Sequence, residues 1–542
     1  MKRMTAAQMK AAFDSEDFEY RYHCDAPLGA FVTELGTRFA LWAPTAQRVI
    51  VYLHHSGHEG WAYESHDLAR GDRGLWTWET TQNLHGVYYG YDVTVDGETR
   101  FIADPYARAC GLNGVRSMVV DLERTNPPGW QSDRAPKRQN EDIIYEIHVK
   151  DFSCDPSSGV PENWRGKYKA LTLNRTSVGL MGRRPTCLNY LKKQGFTHVQ
   201  LMPVYDYGSV DEGGDPDAFN WGYDPVNYNV PEGSYATDPY HGEVRIRELK
   251  EAVLSLHKNG LRVIMDVVYN HTYHLERSCL FGAVPWYYYR QNADGSASNG
   301  SGCGSEIASE RSMCARYILD SVLYWAQEYH IDGFRFDLMG MLDTDLMNRI
   351  RRELDARYGE GEKLVFGEPW SGGPCAPRAG TQLAHKDNLH LLHQGSARSA
   401  ITRATRSRAA WAIQRAAALP AAAISTRSGW PAACAAGPDA KTRIMRSPRP
   451  RRRSPISPPM TTGRCGISWS TACTAIGNSR PGARMCSGPI SSLPRSSFAA
   501  RAESSCSPAR ILPGRSSAFA TATVRPFVST GSTGSALGNS AR

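Results

Sequence analysis

The 542-residue sequence lacks several patterns that mark common classes of protein. None of its 13 cysteines forms a CxxC pair, which disfavours a structural zinc site. No apolar run approaches the ~18 residues of a membrane-spanning helix. The first 20 residues, MKRMTAAQMKAAFDSEDFEY, contain no long apolar segment, so no signal peptide is predicted. The cysteines are scattered singly, as suits reduced thiols. Together with the lack of a signal peptide and of a membrane-spanning run, this predicts a soluble, cytoplasmic protein that does not contact a membrane.

Acidic residues and histidine are also scarce in the last part of the chain. Residues 395–542 contain 21 Arg and one Lys but only two acids, Asp439 and Glu503, and no His. This part has a net charge of +20, whereas the residues before it have −11, so the overall charge of +9 describes neither. The composition alone permits a disordered basic tail that binds nucleic acid.

The N-terminal part of the chain has the pattern of short antiparallel strands. The stretches TRFALWAPTAQRVIVYLHH (37–55) and GVYYGYDVTVDGETRFIADPY (86–106) combine β-branched and aromatic residues with Gly and Asp-Gly turns. We therefore predict an N-terminal extension over residues 1–16 and a small β-sandwich over residues 17–130.

From residue 142 the pattern changes to strands that alternate with amphipathic helices. The predicted strands lie in IIYEIHVKDF, THVQLMPVYDY, LRVIMDVVYNHT, IDGFRFDLMG and KLVFGEPW. Apolar strands separated by helices indicate a parallel sheet covered on both faces. Over residues 131–394 we expect five units of a (β/α)8 TIM barrel, whose chemistry would lie at the C-terminal strand ends.

Two carboxylates follow neighbouring strands of this predicted barrel. In GFRFDLMG, Arg335 and Asp337 alternate onto the same side, and the cation would keep Asp337 ionised, as a nucleophile needs. Glu368 ends the next strand beside Pro369 and Trp370, where an apolar flank would raise its pKa, as a general acid needs. The alternatives without a catalytic role are that Arg335 and Asp337 form a salt bridge at the barrel end and that Glu368 is a capping residue. Together the pair matches the requirement for glycosidic bond cleavage.

Other polar and aromatic residues lie near the same strand ends. DVVYNHT places Asp266 and His271 after the preceding strand, although a lone His is more often structural. The stretch FNWGYDPVNYNVPEGSYATDP places Trp221, Tyr223 and Tyr228 in a loop. Aromatic rings in a cleft stack on sugar rings, but in a long loop they more often pack the loop down.

These stretches resemble a known family. DVVYNH, GFRFDLMG and FGEPW look like the first three sequence regions of glycoside hydrolase family 13, the α-amylase family, in the right order. FNWGYDP is similar to the signature of type I pullulanases, which hydrolyse α-1,6 branches in pullulan, glycogen and starch. The N-terminal module resembles the glycogen- or starch-binding β-sandwich that precedes the barrel in that group. The resemblance covers about residues 17–394.

The resemblance implies a set of roles. Asp337 would be the nucleophile of a retaining mechanism and Glu368 its acid/base. The residues expected to orient these groups or contact substrate are Arg335, His271, Tyr223, Asp266, Trp370 and Trp221. The family's fourth region contains a His-Asp pair whose Asp steadies the transition state, and no such pair follows residue 368 here.

A frameshift in the gene or its sequence would explain why the family's fourth region is missing. Residues 395–542 have the Arg-rich, Lys-poor composition of GC-rich DNA read in a wrong frame. A one-base shift lets residues 399–409 encode Phe-Cys-Asp-His-Thr-Arg-Asp-Ala-Ile-Lys-Gly, which resembles the family's next strand. In the same frame the ATG of Met460 and the first bases of Thr461 force an Asp, with His permitted before it. We hypothesise one frameshift near residues 394–398, real or introduced in sequencing, followed by a disordered tail.

The sequence thus predicts a debranching glycoside hydrolase that acts on α-glucan polysaccharide. It predicts no nucleic-acid partner, no metal and no cofactor, and it leaves calcium binding and oligomeric state open. With five strands of eight and the fourth region lost, this literal chain should have little or no activity. The alternatives are a non-catalytic α-glucan-binding protein, a nucleic-acid binder acting through the tail, and an isoamylase or branching-type family member, which FNWGYDP disfavours.

Overall fold

The structure is a computed structural model that describes residues 5–139, 141–179 and 183–393, together with the backbone of residues 527–528. The predicted frameshift near residues 394–398 and the predicted disordered tail therefore lie outside the described residues.

The N-terminal region is a β-sandwich of two antiparallel sheets, as predicted. Its strands are β1 (Gly29–Thr33), β2 (Gly36–Trp42), β3 (Arg48–His54), β4 (Glu64–Asp67), β5 (Ala69–Arg70), β6 (Leu75–Thr80), β7 (Tyr88–Val95), β8 (Glu98–Ile102) and β9 (Ser117–Met118). One sheet has the order β1-β2-β6-β5, and the other has the order β4-β3-β7-β8 with β9 paired to β7. Between them, Phe39 of β2 meets Tyr89 of β7 edge-on at 5.0 Å between ring centroids. Such aromatic contacts between inward-facing residues form the core of the sandwich.

The residues just before the sandwich are helical, so the predicted start of the sandwich at residue 17 is wrong. The helices here are α1 (Ala6–Phe13) and α2 (Glu16–Tyr22), and the first strand begins only at Gly29. Ser15 caps α2 by accepting a hydrogen bond from the backbone N–H of Phe18. An ion pair between Asp17 and Arg21, four residues apart, supports the helix. Capping and i,i+4 pairing are the local signals for this helix. The aromatic residues of the segment, which are also common in strands, hid these signals in the sequence.

The second region is built on a five-stranded parallel sheet. Its helices and strands, in chain order, are β10 (Glu141–Asp142), β11 (Ile144–Ile147), β12 (Ser177–Val178), β13 (Arg184–Pro185), α3 (Cys187–Gln194), β14 (His198–Leu201), β15 (Tyr205–Tyr207), β16 (Pro225–Pro231), α4 (Gly242–Lys258), β17 (Arg262–Val267), α5 (Cys279–Ala283), α6 (Ser312–Glu328), β18 (Gly333–Phe336), α7 (Thr344–Tyr358), β19 (Leu364–Gly367) and β20 (Phe527–Val528). The parallel sheet has the order β11-β14-β17-β18-β19. These are the five predicted barrel strands, and every residue of β14 and β17 is buried.

Three short antiparallel pairs accompany this sheet: β10 with β20, β12 with β13, and β15 with β16. The β15–β16 pair matters most for function, because the loop between its strands contains the FNWGYDP stretch. Within the described residues, β11 and β19 are the two edges of the parallel sheet.

The sandwich and the barrel region meet at a buried charge cluster, defined as Asp206, Glu212, Glu232 and Arg245. Arg245 of α4 is 0% exposed and donates to both carboxylate oxygens of Glu212, at 2.9 and 2.7 Å. From the sandwich side, Asn113 donates its backbone N–H to Glu212 at 2.7 Å. The cluster therefore joins the sandwich to the start of the β15–β16 loop.

Candidate active site

Four of the predicted site residues lie together at the C-terminal ends of three adjacent strands. Asp266 is in β17, Arg335 is in β18, Asp337 directly follows β18, and Glu368 directly follows β19. Asp266 and Arg335 are paired in register across the two parallel strands. Because parallel strands present their C-terminal ends at one edge, the side chains of all four residues converge.

Arg335 is the centre of this group. Its Nη1 donates to both carboxylate oxygens of Asp266, at 2.9 and 3.1 Å, and to Oδ1 of Asp337 at 3.0 Å. Its Nη2 lies 2.6 Å from Oε1 of Glu368. One guanidinium group thus fixes three carboxyl groups, and the predicted orientation of Asp337 by Arg335 agrees with this geometry.

Asp337 has a second partner that the sequence did not single out. The side-chain amide of Asn270 donates to Oδ2 of Asp337 and to its backbone carbonyl, both at 2.9 Å. With Arg335 on Oδ1, both carboxylate oxygens have a fixed donor, so the side chain is held in one orientation. Asn270 precedes His271 in the YNH stretch, and that adjacency was the available signal.

Asp266 lies beneath this layer and is 0% exposed. Besides Arg335 it accepts a hydrogen bond from the hydroxyl of Tyr223 at 2.7 Å. Burial raises the pKa of Asp266 to about 7, although Arg335 opposes the rise. Asp266 therefore ties the FNWGYDP loop, through Tyr223, to the catalytic strand ends.

His271 is 3% exposed, and its Nδ1 lies 2.6 Å from the side-chain oxygen of Asn270. Burial lowers the pKa of His271 to about 4, so the imidazole is neutral at pH 7. Tyr228 was predicted to lie in a loop but lies in strand β16, and its hydroxyl donates to the His271 backbone carbonyl. A neutral, fixed imidazole suits hydrogen bonding to a hydroxyl group.

Glu368 is in an environment with opposed influences. Burial raises the pKa of its carboxyl group, and the contact with Arg335 lowers that pKa. The nearby charge of Asp337 raises it again, so the pKa of Glu368 is above its ordinary value. Its Oε2 also accepts the backbone N–H of Leu338 at 3.3 Å. A raised pKa is the property that a proton donor requires.

The two predicted tryptophans lie at different depths. Trp221, two residues before Tyr223, is 61% exposed. Trp370 is half-buried, and its backbone packs so closely on Gly340 that a Cβ on that glycine would lie 2.5 Å from the Trp370 nitrogen. Gly340 therefore lets the segment after Glu368 approach the segment after Asp337.

The described residues contain one group of carboxylates close enough to hold a metal ion: Asp206, Glu212 and Glu232 of the buried charge cluster. Arg245 already supplies a cation to this group. No helix in the described ranges is long and apolar enough to cross a membrane.

Comparison with known proteins matches both regions of the chain. Residues 27–107 match the model of carbohydrate-binding module 48 (isoamylase N-terminal domain), and residues 184–278 match the model of the α-amylase catalytic domain. The apo pullulanase of Paenibacillus barengoltzii superposes with a TM-score of 0.67 at 42% identity, over 71% of this chain and 58% of that one. Both regions of the chain are thus similar to those of pullulanases in the α-amylase family.

Sequence relatives support the same placement within the α-amylase family. The pullulanase of Bacillus subtilis is 38% identical over 390 residues, which is 72% of this chain and 52% of that protein. The chloroplastic isoamylase 3 of rice is 31% identical over 60% of this chain. The chain spans about half the length of the curated pullulanases of Bacillus subtilis and Arabidopsis thaliana. The predicted sandwich, the α-amylase-type barrel and the resemblance to pullulanases are thus confirmed.

Proposed function

We propose that the described site serves to hydrolyse α-1,6-glucosidic branch linkages in pullulan, glycogen or starch dextrins, with retention of configuration. The observation that carries the proposal is the bridging of two carboxyl groups, Asp337 and Glu368, by the single guanidinium of Arg335. One carboxyl group has both oxygens fixed, and the other has a raised pKa. This difference between two neighbouring carboxyl groups is what a retaining glycosidase requires.

In the first step, an oxygen of Asp337 attacks the anomeric carbon, while Glu368 protonates the departing glycosidic oxygen. The product is a glycosyl ester on Asp337 and a released chain end. In the second step, Glu368 removes a proton from water, which attacks the anomeric carbon and frees Asp337. Arg335 and Asn270 hold Asp337 in line for both steps.

Substrate contacts follow from the residues around this pair. The neutral imidazole of His271 would bond a hydroxyl of the sugar at the cleavage point, and the ring of Tyr223 would stack beneath it. Trp370 would line the leaving-group side, and the exposed Trp221 would meet the substrate at the mouth of the site.

The sandwich offers a separate candidate α-glucan contact that was not predicted from the sequence. The ring of Trp61 is 95% exposed on the β3–β4 loop. Arg116 fixes this loop through hydrogen bonds to the backbone carbonyls of Ser56, Glu59 and Gly60, at 2.7 to 2.8 Å. An exposed indole that follows a fixed stretch of backbone is suited to stacking on a sugar ring. This observation favours a second candidate function, α-glucan binding by the sandwich independent of catalysis.

We propose that the present chain hydrolyses pullulan poorly or not at all, because no His-Asp pair of the family's fourth region follows residue 368; the frameshift hypothesis would explain this loss. We also propose a reducing, cytoplasmic location and an α-glucan partner. The support for the location is a set of buried free thiols, namely Cys24, Cys110, Cys187, Cys279 and Cys314.

The test compares two proteins on pullulan: the chain as given, and a version in which the codons after residue 394 are read in the shifted frame. We expect maltotriose from the second only. In that second protein, E368Q should lower kcat about 10²–10⁴-fold, and D337N should abolish turnover. Ordinary turnover by the first protein contradicts the loss of activity, and full turnover by D337N contradicts the assigned nucleophile.

The rival functions give separate results. Glycogen binding that survives deletion of residues 131–542 and is lost in W61A supports the sandwich as a binding module. Steeply salt-dependent DNA binding that disappears on deletion of residues 395–542 would instead support a nucleic-acid function of the tail.

A further inference from the structure

The end of strand β11 carries two polar side chains that the proposed mechanism does not use. His148 directly follows β11, and Lys150 lies two residues further along the chain. Because parallel strands present their C-terminal ends at one edge, both residues lie at the same edge of the sheet as the catalytic strand ends. Their hydrogen-bond partners include three backbone carbonyls of the β15–β16 loop, the loop that contains the FNWGYDP stretch.

Lys150 holds the middle of this loop. Its ammonium group donates to the backbone carbonyl of Pro216 at 2.6 Å and to that of Ala218. Pro216 is exposed and Ala218 is half-buried, so these two residues contribute little apolar packing of their own. Two charge-assisted hydrogen bonds from one side chain therefore set the path of the backbone here.

His148 holds the same loop two residues later. The ring is 6% exposed, and its Nδ1 accepts the backbone N–H of Asp151 at 3.2 Å. Burial lowers the pKa of His148 to about 4, so at pH 7 the ring is neutral and its one proton is on Nε2. Nε2 lies 2.9 Å from the backbone carbonyl oxygen of Asn220 and 2.8 Å from the hydroxyl oxygen of Tyr235, and both oxygens can accept from its N–H. The ring of Phe219 packs against the same imidazole at 4.7 Å between centroids.

The aromatic residues assigned to substrate contact come directly after this anchored stretch. The side chain of Asn220 accepts the backbone N–H of Gly222 at 2.7 Å, so the backbone is fixed on both sides of Trp221. The indole of Trp221 is nonetheless 61% exposed. Tyr223 has its own anchor, the hydrogen bond to Asp266 of β17. The loop is therefore held at two points, and Trp221 depends on the end of β11 whereas Tyr223 depends on β17.

We propose that His148 and Lys150 are positioning residues of this site. They hold the middle of the β15–β16 loop so that the indole of Trp221 is already in place to stack on an α-glucan chain. This role rests on the proposed function. An indole whose backbone is ordered beforehand loses less freedom when a sugar binds, so the two residues raise the affinity of the site. Because Tyr223 and the catalytic carboxyl groups are anchored by other residues, His148 and Lys150 do not act on bond cleavage.

The test is fluorine nuclear magnetic resonance of the full chain labelled with 5-fluorotryptophan and titrated with maltotriose. The Trp221 signal is identified by its absence in W221F. We expect K150M, which keeps a long side chain but removes its donors, to move the sugar-free Trp221 signal towards that of free 5-fluorotryptophan. We also expect it to raise the Kd for maltotriose, measured at the Trp221 signal, about tenfold, because the sugar must then order the indole itself.

Three further variants separate positioning from general damage to the fold. K150R keeps donors at this place and should restore the parent signal and the parent Kd. K193M removes an exposed lysine from the last turn of α3 and should change neither. H148F keeps an aromatic ring but no donor, and it covers the case in which K150M does not fold. It should move the Trp221 signal in the same direction as K150M and raise the Kd.

Two results would overturn the proposal. One is a Trp221 signal and a Kd that are unchanged in both K150M and H148F, and the other is a K150R that behaves as K150M does. A parent chain whose Trp221 signal does not respond to maltotriose would count against the proposed function instead. The sugar-free signals would still decide whether the two residues position Trp221, so the two failures are distinguishable.

Discussion

Replacement of Arg245 by Met tests whether the buried charge cluster holds the sandwich and barrel together. The guanidinium is 0% exposed and bonds Glu212 twice, and it lies 3.5 Å from Asp206. It also donates to the backbone carbonyls of Pro231 and Pro239, at 3.2 and 3.0 Å. Met fills a similar volume but supplies neither charge nor donors, so R245M leaves three buried carboxyl groups without their cation.

The expected cost follows from this geometry. Removing one partner of a buried ion pair typically costs about 3–5 kcal/mol, because the remaining charge stays desolvated. Protonation of the remaining carboxyl groups relieves part of this cost at low pH. We therefore expect R245M to lose about 3–5 kcal/mol of unfolding free energy near neutral pH and less in acid.

The pH dependence of the parent chain has a defined sign. Burial, and then the charge of Glu212, raise the pKa of Asp206 from 3.8 to about 8. Folding therefore takes up a proton at Asp206 between these values. The stability that this group contributes is complete below pH 4 and declines as the pH rises toward 8. Loss of the Arg245 cation raises the carboxyl pKa values further, so the difference between R245M and the parent should grow with pH.

Urea unfolding followed by far-ultraviolet circular dichroism at several pH values measures both effects. R247M is the matched control, because Arg247 lies two residues further along α4 with its side chain exposed, where substitutions usually change stability by less than about 0.5 kcal/mol. If R245M stays within 1 kcal/mol of R247M, or if its cost does not grow with pH, the cluster is not the stabilising contact described here.

Two further variants probe other features of the described residues. His257 lies between Asp133 and Asp332, at 2.7 and 2.9 Å, and although burial alone would lower its pKa, these hydrogen bonds raise it to about 9. Its contribution to stability should be complete below pH 6.5 and lost as the pH passes 9, so thermal unfolding of H257Q should lose most of that pH dependence. On the sandwich, W61A should weaken glycogen binding about tenfold in affinity electrophoresis, whereas W130A, at a buried indole, should act on thermal stability instead.

The strands and helices of the barrel were predictable because their hydrophobic periodicity is strong. Strand β17 contains the apolar run VIM (263–265), and α4 has amphipathic spacing and a Gly after its end, so pattern alone located both. The helix α2 was missed because its signal is capping and ion pairing in a segment of aromatic residues. Where periodicity was strong the prediction was correct, and where capping decided the structure it was wrong.

The site was predictable in its residues but not in its connections. Arg335, Asp337 and Glu368 could be named from two strand ends, since alternation and neighbouring strands bring them together. The donation of Tyr223 to Asp266 could not be foreseen, because it joins residues 43 positions apart across a loop.

The two edges of the parallel sheet bear on the frameshift hypothesis. Within the described residues, β11 and β19 are the edges of the parallel sheet, and an exposed edge offers unpaired backbone groups to further strands. Closure of an eight-stranded barrel requires three more strands, and by the family resemblance one of them is followed by the His-Asp pair of the fourth region. We expect the coding DNA, read one base earlier after residue 394, to continue without early stop codons and to encode them. The forced Asp at Met460–Thr461 should then stand in a His-Asp pair. Early stop codons in that frame, or the absence of such a pair, would contradict the frameshift hypothesis and leave a chain without the Asp of the family's fourth region.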